Sequence, residues 1–376
     1  LDDEKRIIRN TFKEFADEVV KPLAEAVHRK DLLVPPEILE PLKAMGVFGL
    51  SVPERFGGLK PDTTEDSMGM VIVTEELSRG SLGAAGSLIT RPEIMARALL
   101  EGGTNEQQAR WLPQIASGQT LCAVSVTEPN TGSDVASVAL KATRTNGGWV
   151  LDGGKTWCTY AGAAGALLVL ARTDAYAEPA HKGLSLFVVE KPSYDGHFFE
   201  FEQGDGGKMT GRAIPTLGYR GMHSFEMSYD NFFVPDDCLI GGKAGEGKGF
   251  YFTMRGFMGG RLQTAARACG LMRAAFEESM NYSQDRMVFG RSVASYPLSL
   301  AKLARMGALI TACKAFTAHV AGLMDQGLGQ MEASLVKLFS CRAAEWVTRE
   351  GVQIHGGMGY AEEVAVSRYF ADARVL

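Results

Sequence analysis

The chain is short of several things, and each shortage removes a class of function. Its six cysteines (122, 158, 238, 269, 313 and 341) include no CxxC pair. Thiols scattered this way build no disulfide framework, and they fit a reducing, cytoplasmic location. No HExxH or other paired ligand spacing is present, so no metal is expected, and without GxSxG there is no nucleophile elbow. Basic charge is also scarce: 39 Lys and Arg against 44 Asp and Glu leave a net charge of -5. That offers no electrostatic footprint for nucleic acid. The longest run of small and apolar residues, 161–171, falls short of the ~20 residues of a membrane helix. No signal peptide opens the chain, and no repeat or low-complexity tract interrupts it. A helical pattern is already running at Leu1, and residues 372–376 carry no stop signal. A fragment open at both ends is therefore expected.

What is present is ordinary globular material: 45% hydrophobic, 22% charged, and 376 residues, enough for two or three domains. Ile8, Phe12, Phe15, Val19 and Leu23 recur at helical spacing, Pro35-Pro36 opens a second helix, and helical patterns resume around 66–79, 84–101 and 105–116. These make an N-terminal helical domain, 1–118. From 119 to 236 the pattern turns to β, with short runs at 121–126, 138–142, 149–151, 167–171, 184–189 and 225–234. The glycine-rich stretch 194–211 reads as a long excursion between strands. Helices at 250–284, 296–326 and 331–354 fill the remainder, 237–376. The expected class is α+β.

Two stretches carry chemistry. TEPNTGSD (127–134) is broken by Pro129 and Gly132, so it is a loop presenting hydroxyls and backbone N–H groups. KTWCT (155–159) follows an apolar run and the turn pair Gly153-Gly154, which places Trp157 and Thr159 on a strand of alternating faces. A flat aromatic, a hydroxyl two residues on and a polar loop suit a planar, hydrogen-bonding heterocycle. Taken singly, a core aromatic and a strand threonine explain them as well. The glycines of 241–249 imitate a phosphate loop, but Gly249 stands where Ser or Thr must hold Mg²⁺, so this is a turn into the next helix.

TEPNTGSD, KTWCTYA, GYRGMHSFE (218–226), DRMVFG (285–290) and QIHGGMGY (353–360), in that order, resemble the flavin-dependent acyl-CoA dehydrogenase family across nearly the whole chain. The resemblance implies a middle β-barrel domain, a C-terminal four-helix bundle and noncovalent FAD. It implies that Thr127 bonds the flavin edge, Ser133 meets ligand or cofactor phosphates, Trp157 flanks the ring and Thr159 bonds N5. A donor at N5 stabilises the charge that develops as hydride arrives. Arg286 and Phe289 match positions that reach the FAD of a neighbouring subunit, and Gln353, Gly356 and Gly357 match a turn lying against the same dinucleotide. A homo-oligomer, dimer or tetramer, follows, with an acyl-CoA substrate and an electron-transfer flavoprotein as partners.

Arg261 matches an arginine beside the active-site mouth, and Arg91 lies in the segment that lines the family's acyl pocket. An arginine there suits a carboxylate-bearing acyl group, although a surface arginine is an equal reading. GKMTG (207–211) with TLGYRGM (216–222), and LQTAARA (262–268), are similar to the branch that oxidises (2S)-methylsuccinyl-CoA to mesaconyl-CoA. Another short branched or straight acyl-CoA is the alternative. A flavin oxidase or monooxygenase, or a DNA-associated flavoprotein, on the same scaffold are readings of other classes. The family's usual glutamate base is expected just past Leu376, after Asp372-Ala-Arg374, so no catalytic residue is assigned. The minority base position falls on Gly260, and Glu362 and Glu363 match a structural acidic position.

Overall fold

The computed structural model describes residues 2–376. Eleven α-helices and ten strands follow one another in three blocks. The first holds α1 (Asp3–Phe15), α2 (Lys21–Arg29), α3 (Pro36–Ala44), α4 (Ser67–Gly80), α5 (Thr90–Gly102) and α6 (Asn105–Ala116). Caps set several of these ends: Asp2 and Asp66 accept from N–H groups in the first turns of α1 and α4, and Thr104 with Gln107 forms a capping box on α6. A five-residue π-turn, 16–20, joins α1 to α2, so the stripe from Ile8 to Leu23 runs over one nearly continuous rod.

Strands follow: β1 (Cys122–Ser125), β2 (Lys141–Thr145), β3 (Gly148–Thr159), β4 (Ala166–Arg172), β5 (Leu184–Glu190), β6 (Phe198–Glu202), β7 (Lys208–Ala213) and β8 (Ser224–Pro235). They form one eight-stranded sheet in the order β1-β4-β2-β3-β8-β7-β6, with β5 also paired to β4. No ladder joins β6 back to β1 or β5, so the middle block is a curled open sheet rather than a closed barrel. Stretch 194–211, expected as an excursion, holds the β6–β7 hairpin. Its period-two signal was present: Phe199 and Met209 are buried while Glu200 and Lys208 reach solvent. Gly204, Gly206 and Gly207 crowd the turn and mask that alternation in the sequence.

The third block opens with the single turn α7 (Gly242–Gly245) and the 37-residue α8 (Gly249–Asp285). A small hairpin, β9 (Met287–Val288) with β10 (Arg291–Ser292), leads to α9 (Pro297–Met324), α10 (Gln330–Ile354) and α11 (Ala365–Ala373). By length and apolarity α9 alone among the described helices passes as a membrane span, yet Leu303, Met306, Ile310 and Cys313 bury one side of it in the bundle.

The helical core centres on α4 packed along α8. Of α4 only Met68 escapes full burial, so its charged residues must be paired. Arg273 of α8 reaches Glu75 at 2.7 Å and Glu76 at 2.6 Å, and Arg79 is met by Asp17 at 2.7 Å and Glu277 at 3.0 Å. Gly270 lets the two backbones touch: a Cβ there would fall inside the contact radius of the Glu75 carbonyl, 2.9 Å from Arg79 N. Gly270→Ala is therefore expected to cost about 1–3 kcal/mol by overpacking. A lowered midpoint in thermal unfolding of the holoprotein checks this; an unchanged midpoint contradicts the close approach.

Candidate active site

The loop 127–134 and the strand end 155–159 are joined by a buried ion pair. Thr131 and Glu128 exchange backbone hydrogen bonds (2.9 and 3.0 Å) around the Pro129-Asn130 corner. The fold turns the Glu128 carboxylate inward, where it accepts from the N–H groups of Ala139 (2.8 Å) and Leu140 (2.7 Å) and from Lys155 Nζ (2.8 Å). Lys155 also donates to the Val126 carbonyl at 2.9 Å. Burial pulls the Lys155 ammonium below its ordinary pKa, and the Glu128 charge opposes that pull. Thr156 N donates to the Thr127 carbonyl at 2.8 Å, completing the junction.

This junction distorts β3. Its register against β8 slips between Lys155 and Cys158, and Trp157 has φ +57°, rare for a bulky residue. The bulge breaks the simple alternation expected from sequence: Trp157 is turned out, 55% exposed, while Cys158 and Thr159 are both buried. Thr159 Oγ1 shares a 2.8 Å hydrogen bond with Ser224 Oγ on the neighbouring strand. Ser133 and Gly132 are exposed, and a Cβ on Gly132 would meet nothing within 4 Å. An outward aromatic beside a bare loop of backbone N–H and hydroxyl groups fits one face and edge of a flavin ring.

Arg91 lies in α5, half-buried, and Nη1 donates to the Ser87 carbonyl (3.2 Å) and the Tyr219 hydroxyl (2.9 Å). Opposite it, buried Arg267 of α8 donates to the same hydroxyl (3.2 Å), to Ser87 Oγ (3.1 Å) and to Thr264 Oγ1 (2.6 Å). No carboxylate stands within 4 Å of either guanidinium among the described residues, and Arg267 Nε and Thr90 Oγ1 are buried without partners. Burial would push the Tyr219 phenol up, but Arg91 and then Arg267 outweigh it and hold it below its ordinary value. Burial lowers the Arg267 guanidinium. Tyr219 is held at φ +62° by its own N–H, which donates to Asp372 at 2.7 Å. Asp372 is thereby spent on position.

Arg267, Tyr219, Glu128, Lys155 and Ser224 escaped sequence reasoning. A lone arginine in an Ala, Gly and Cys stretch of α8 was a usable signal; nothing local marks Tyr219. Arg261 is half-buried with no hydrogen bond or ion pair among the described residues, and Gly260 has its Cβ position 3.6 Å from Ile94.

Arg286, Phe289, Gln353, Gly356 and Gly357 form a second group at the ends of α8 and α10, with no hydrogen bond to the first among the described residues. Arg286 caps α8, and Phe289-Gly290 make the two-residue hairpin turn at φ +50° and +80°, leaving Phe289 95% exposed. Gly356 and Gly357 face open space, and His355 stacks on Tyr282 at 4.2 Å. Exposed glycine backbone, an arginine and a bare aromatic fit a dinucleotide's pyrophosphate and adenine.

Three family descriptions match in order: "Acyl-CoA dehydrogenase, N-terminal domain" at 2–119, "middle domain" at 123–232 and "C-terminal domain" at 247–376. Over 378 residues the chain is 43% identical to the (2S)-methylsuccinyl-CoA dehydrogenase of Cereibacter sphaeroides, covering 100% of this chain and 67% of that protein. Butyryl-CoA dehydrogenase from Megasphaera elsdenii superposes with a TM-score of 0.89 at 27% identity, over 100% of this chain and 94% of that one. Glutaryl-CoA dehydrogenase from Mycobacterium smegmatis, solved with FADH2, superposes at 0.85 and 25% identity, over 100% and 90%.

Removing one member of a buried pair strands the other, at about 3–5 kcal/mol. Lys155→Met is thus expected to lower the unfolding midpoint and to release FAD during gel filtration. Retained flavin with an unchanged midpoint contradicts the junction's role.

Proposed function

The chain belongs to the acyl-CoA dehydrogenase family, FAD-dependent oxidoreductases acting on CH–CH bonds, and we propose that its substrate is (2S)-methylsuccinyl-CoA, converted to mesaconyl-CoA. The observation that carries the substrate is the convergence of Arg91 and Arg267 on Tyr219 with no acidic partner. A buried and a half-buried cation with no counter-charge among the described residues are costly, and a substrate carboxylate offsets that cost where a plain acyl chain does not. Arg267 lies seven residues beyond Gly260, two turns along the same face of α8, the face that the family's minority base position occupies. The 43% identical relative is named for this substrate.

In this reading Trp157 covers the flavin, Thr127 bonds its edge, and Thr159, oriented by Ser224, donates toward N5. Bound FAD supplies the acceptor for the β-hydrogen as hydride. Arg91 and Arg267 fix the distal carboxylate, and Arg261 and Ser133 take the CoA side. Holding both ends leaves the Cα–Cβ bond in one orientation, with the flavin face presented to Cβ and the opposite face open to a carboxylate base at Cα. Tyr219 bridges the two guanidiniums and sets their spacing. Arg286, Phe289, Gln353, Gly356 and Gly357 complete the FAD site of a second copy, so the working unit is a dimer or tetramer. Exposed Leu335, Leu338 and Phe339, with Phe316, line an apolar cavity of about 560 Å³ on the same bundle. Electrons leave to an electron-transfer flavoprotein, as the family resemblance implies.

Anaerobic titration of the yellow holoenzyme tests the substrate directly. Methylsuccinyl-CoA should bleach the flavin and butyryl-CoA should not; equal bleaching by butyryl-CoA overturns the carboxylate reading. Arg91→Met and Arg267→Met should each lower kcat/KM for methylsuccinyl-CoA by about 10- to 100-fold, the worth of a hydrogen bond to a charged group. Butyryl-CoA binding, read from the perturbed flavin absorbance, should change far less, and equal losses for both ligands refute the clamp.

Arg286→Gln tests the shared cofactor site. Flavin should dissociate faster from the variant with its secondary structure intact. Wild-type sedimentation as a monomer that keeps its FAD contradicts the assembly.

A further inference from the structure

We propose that Asp31, His197 and His223 form a site for a divalent transition metal of the zinc class, bridging the N-terminal helical block and the sheet. The three are 166 and 26 residues apart in the chain, so no spacing motif announces them. Folding brings one ligand atom from each within 4.8 Å of the others. The frame is built rather than incidental: Leu33 and Gly221, each two residues from a ligand, pair in a β-bridge. The His223 carbonyl accepts from Tyr160 N at 2.8 Å, and the His197 carbonyl from Ala213 N at 2.8 Å.

The distances leave room for an ion. His197 Nδ1 stands 3.9 Å from Asp31 Oδ2, too far for a hydrogen bond; two ligands of a tetrahedral ion with bonds of about 2.0–2.1 Å stand roughly 3.3–3.4 Å apart, so a small inward rotation of the half-exposed imidazole meets the ion. The imidazole rings are 4.4 Å apart and tilted by 43°, and Nδ1 of His197 and Nε2 of His223 are the atoms that approach the carboxylate. His223 Nε2 is 2.9 Å from Asp31 Oδ1, a hydrogen bond that it would exchange for the ion. His223 Nδ1 is buried without a partner. Asp31 and His197 are open to solvent, which gives the ion a path in.

Charge decides the type of ion. Arg220 Nε lies 3.3 Å from Asp31 Oδ1, so the guanidinium cancels the carboxylate and the site is close to neutral. Affinity must then come from the two imidazoles rather than from negative charge. That favours Zn²⁺, Ni²⁺ or Co²⁺ over Mg²⁺ and Ca²⁺, hard cations that take oxygen rather than imidazole ligands. Arg220 stays on Oδ1, and Oδ2 with two ring nitrogens supplies three ligands, water taking the rest.

Zinc titration of chelator-stripped, desalted holoenzyme against a chromophoric chelator tests the site. One Zn²⁺ per chain is expected, undisturbed by excess Mg²⁺. His197→Gln and Asp31→Asn should each weaken binding by at least about tenfold, the loss that outer-shell partners alone can bring. Flavin content and turnover should be unchanged in both. Absence of zinc binding, wild-type affinity in both variants, or displacement by Mg²⁺ overturns the proposal. His197 is exposed, so its variant tests ligation without disturbing the core.

Discussion

The ammonium of Lys155, sealed from water beneath the Pro129-Asn130 corner, is the constraint on which the flavin-facing region depends. It has two partners, the Glu128 carboxylate and the Val126 carbonyl, and those two lie on either side of Thr127. Lys155 therefore fixes the loop against β3 at the residue proposed to meet the flavin. The pair adds little net stability, because desolvation of both charges offsets most of their attraction. What it supplies is register. Glu128 holds two backbone N–H groups of the segment leading to β2, and the slip in β3 that turns Trp157 outward begins directly after Lys155.

The same trade appears at Arg91 and Arg267, with the opposite outcome. Buried Arg79 and Arg368 and partly buried Arg273 each reach a carboxylate within 3 Å. Arg267, also buried, reaches only hydroxyls among the described residues. Hydroxyls satisfy N–H donors without neutralising the charge, so the electrostatic cost stays open in the free protein. A carboxylate ligand gains more here than at a site already paired, which is the basis of the discrimination proposed above.

Sequence made the block order legible because periodicity does not depend on tertiary detail. The helices at 105–116 and 331–354 lie within a residue of their observed bounds. Trp157, Thr159 and Phe289 were legible as residues through motif order, but their geometry was not. A strand template puts Trp157 and Thr159 on one face; the bulge that separates them begins at Lys155, whose partner Glu128 lies 27 residues away. Hairpin β6–β7 hid behind glycines that usually mean a loop. Tyr219 was invisible in principle: its hydroxyl matters because α5 and α8 converge on it, and neither helix is near it in sequence.

Backbone strain ties these threads together. Six described non-glycine residues have positive φ: Asp31, Trp157, Tyr160, Tyr219, Asn231 and Phe289. For Asp and Asn that conformation is cheap, but an aromatic side chain pays of order 1–3 kcal/mol for it. All four aromatic cases fall on or beside a proposed ligand contact, and each is held by something outside its own residue. Tyr219 is held by the Asp372 carboxylate at its N–H, Tyr160 by the His223 carbonyl, Trp157 by the Lys155 junction and Phe289 by the β9–β10 pairing. Conformations imposed from a distance leave the rings of Trp157 and Phe289 exposed and hold those of Tyr160 and Tyr219 buried, before any ligand arrives. That preorganisation belongs to the tertiary structure, which is why a sequence pattern names the residue and leaves its direction unsaid.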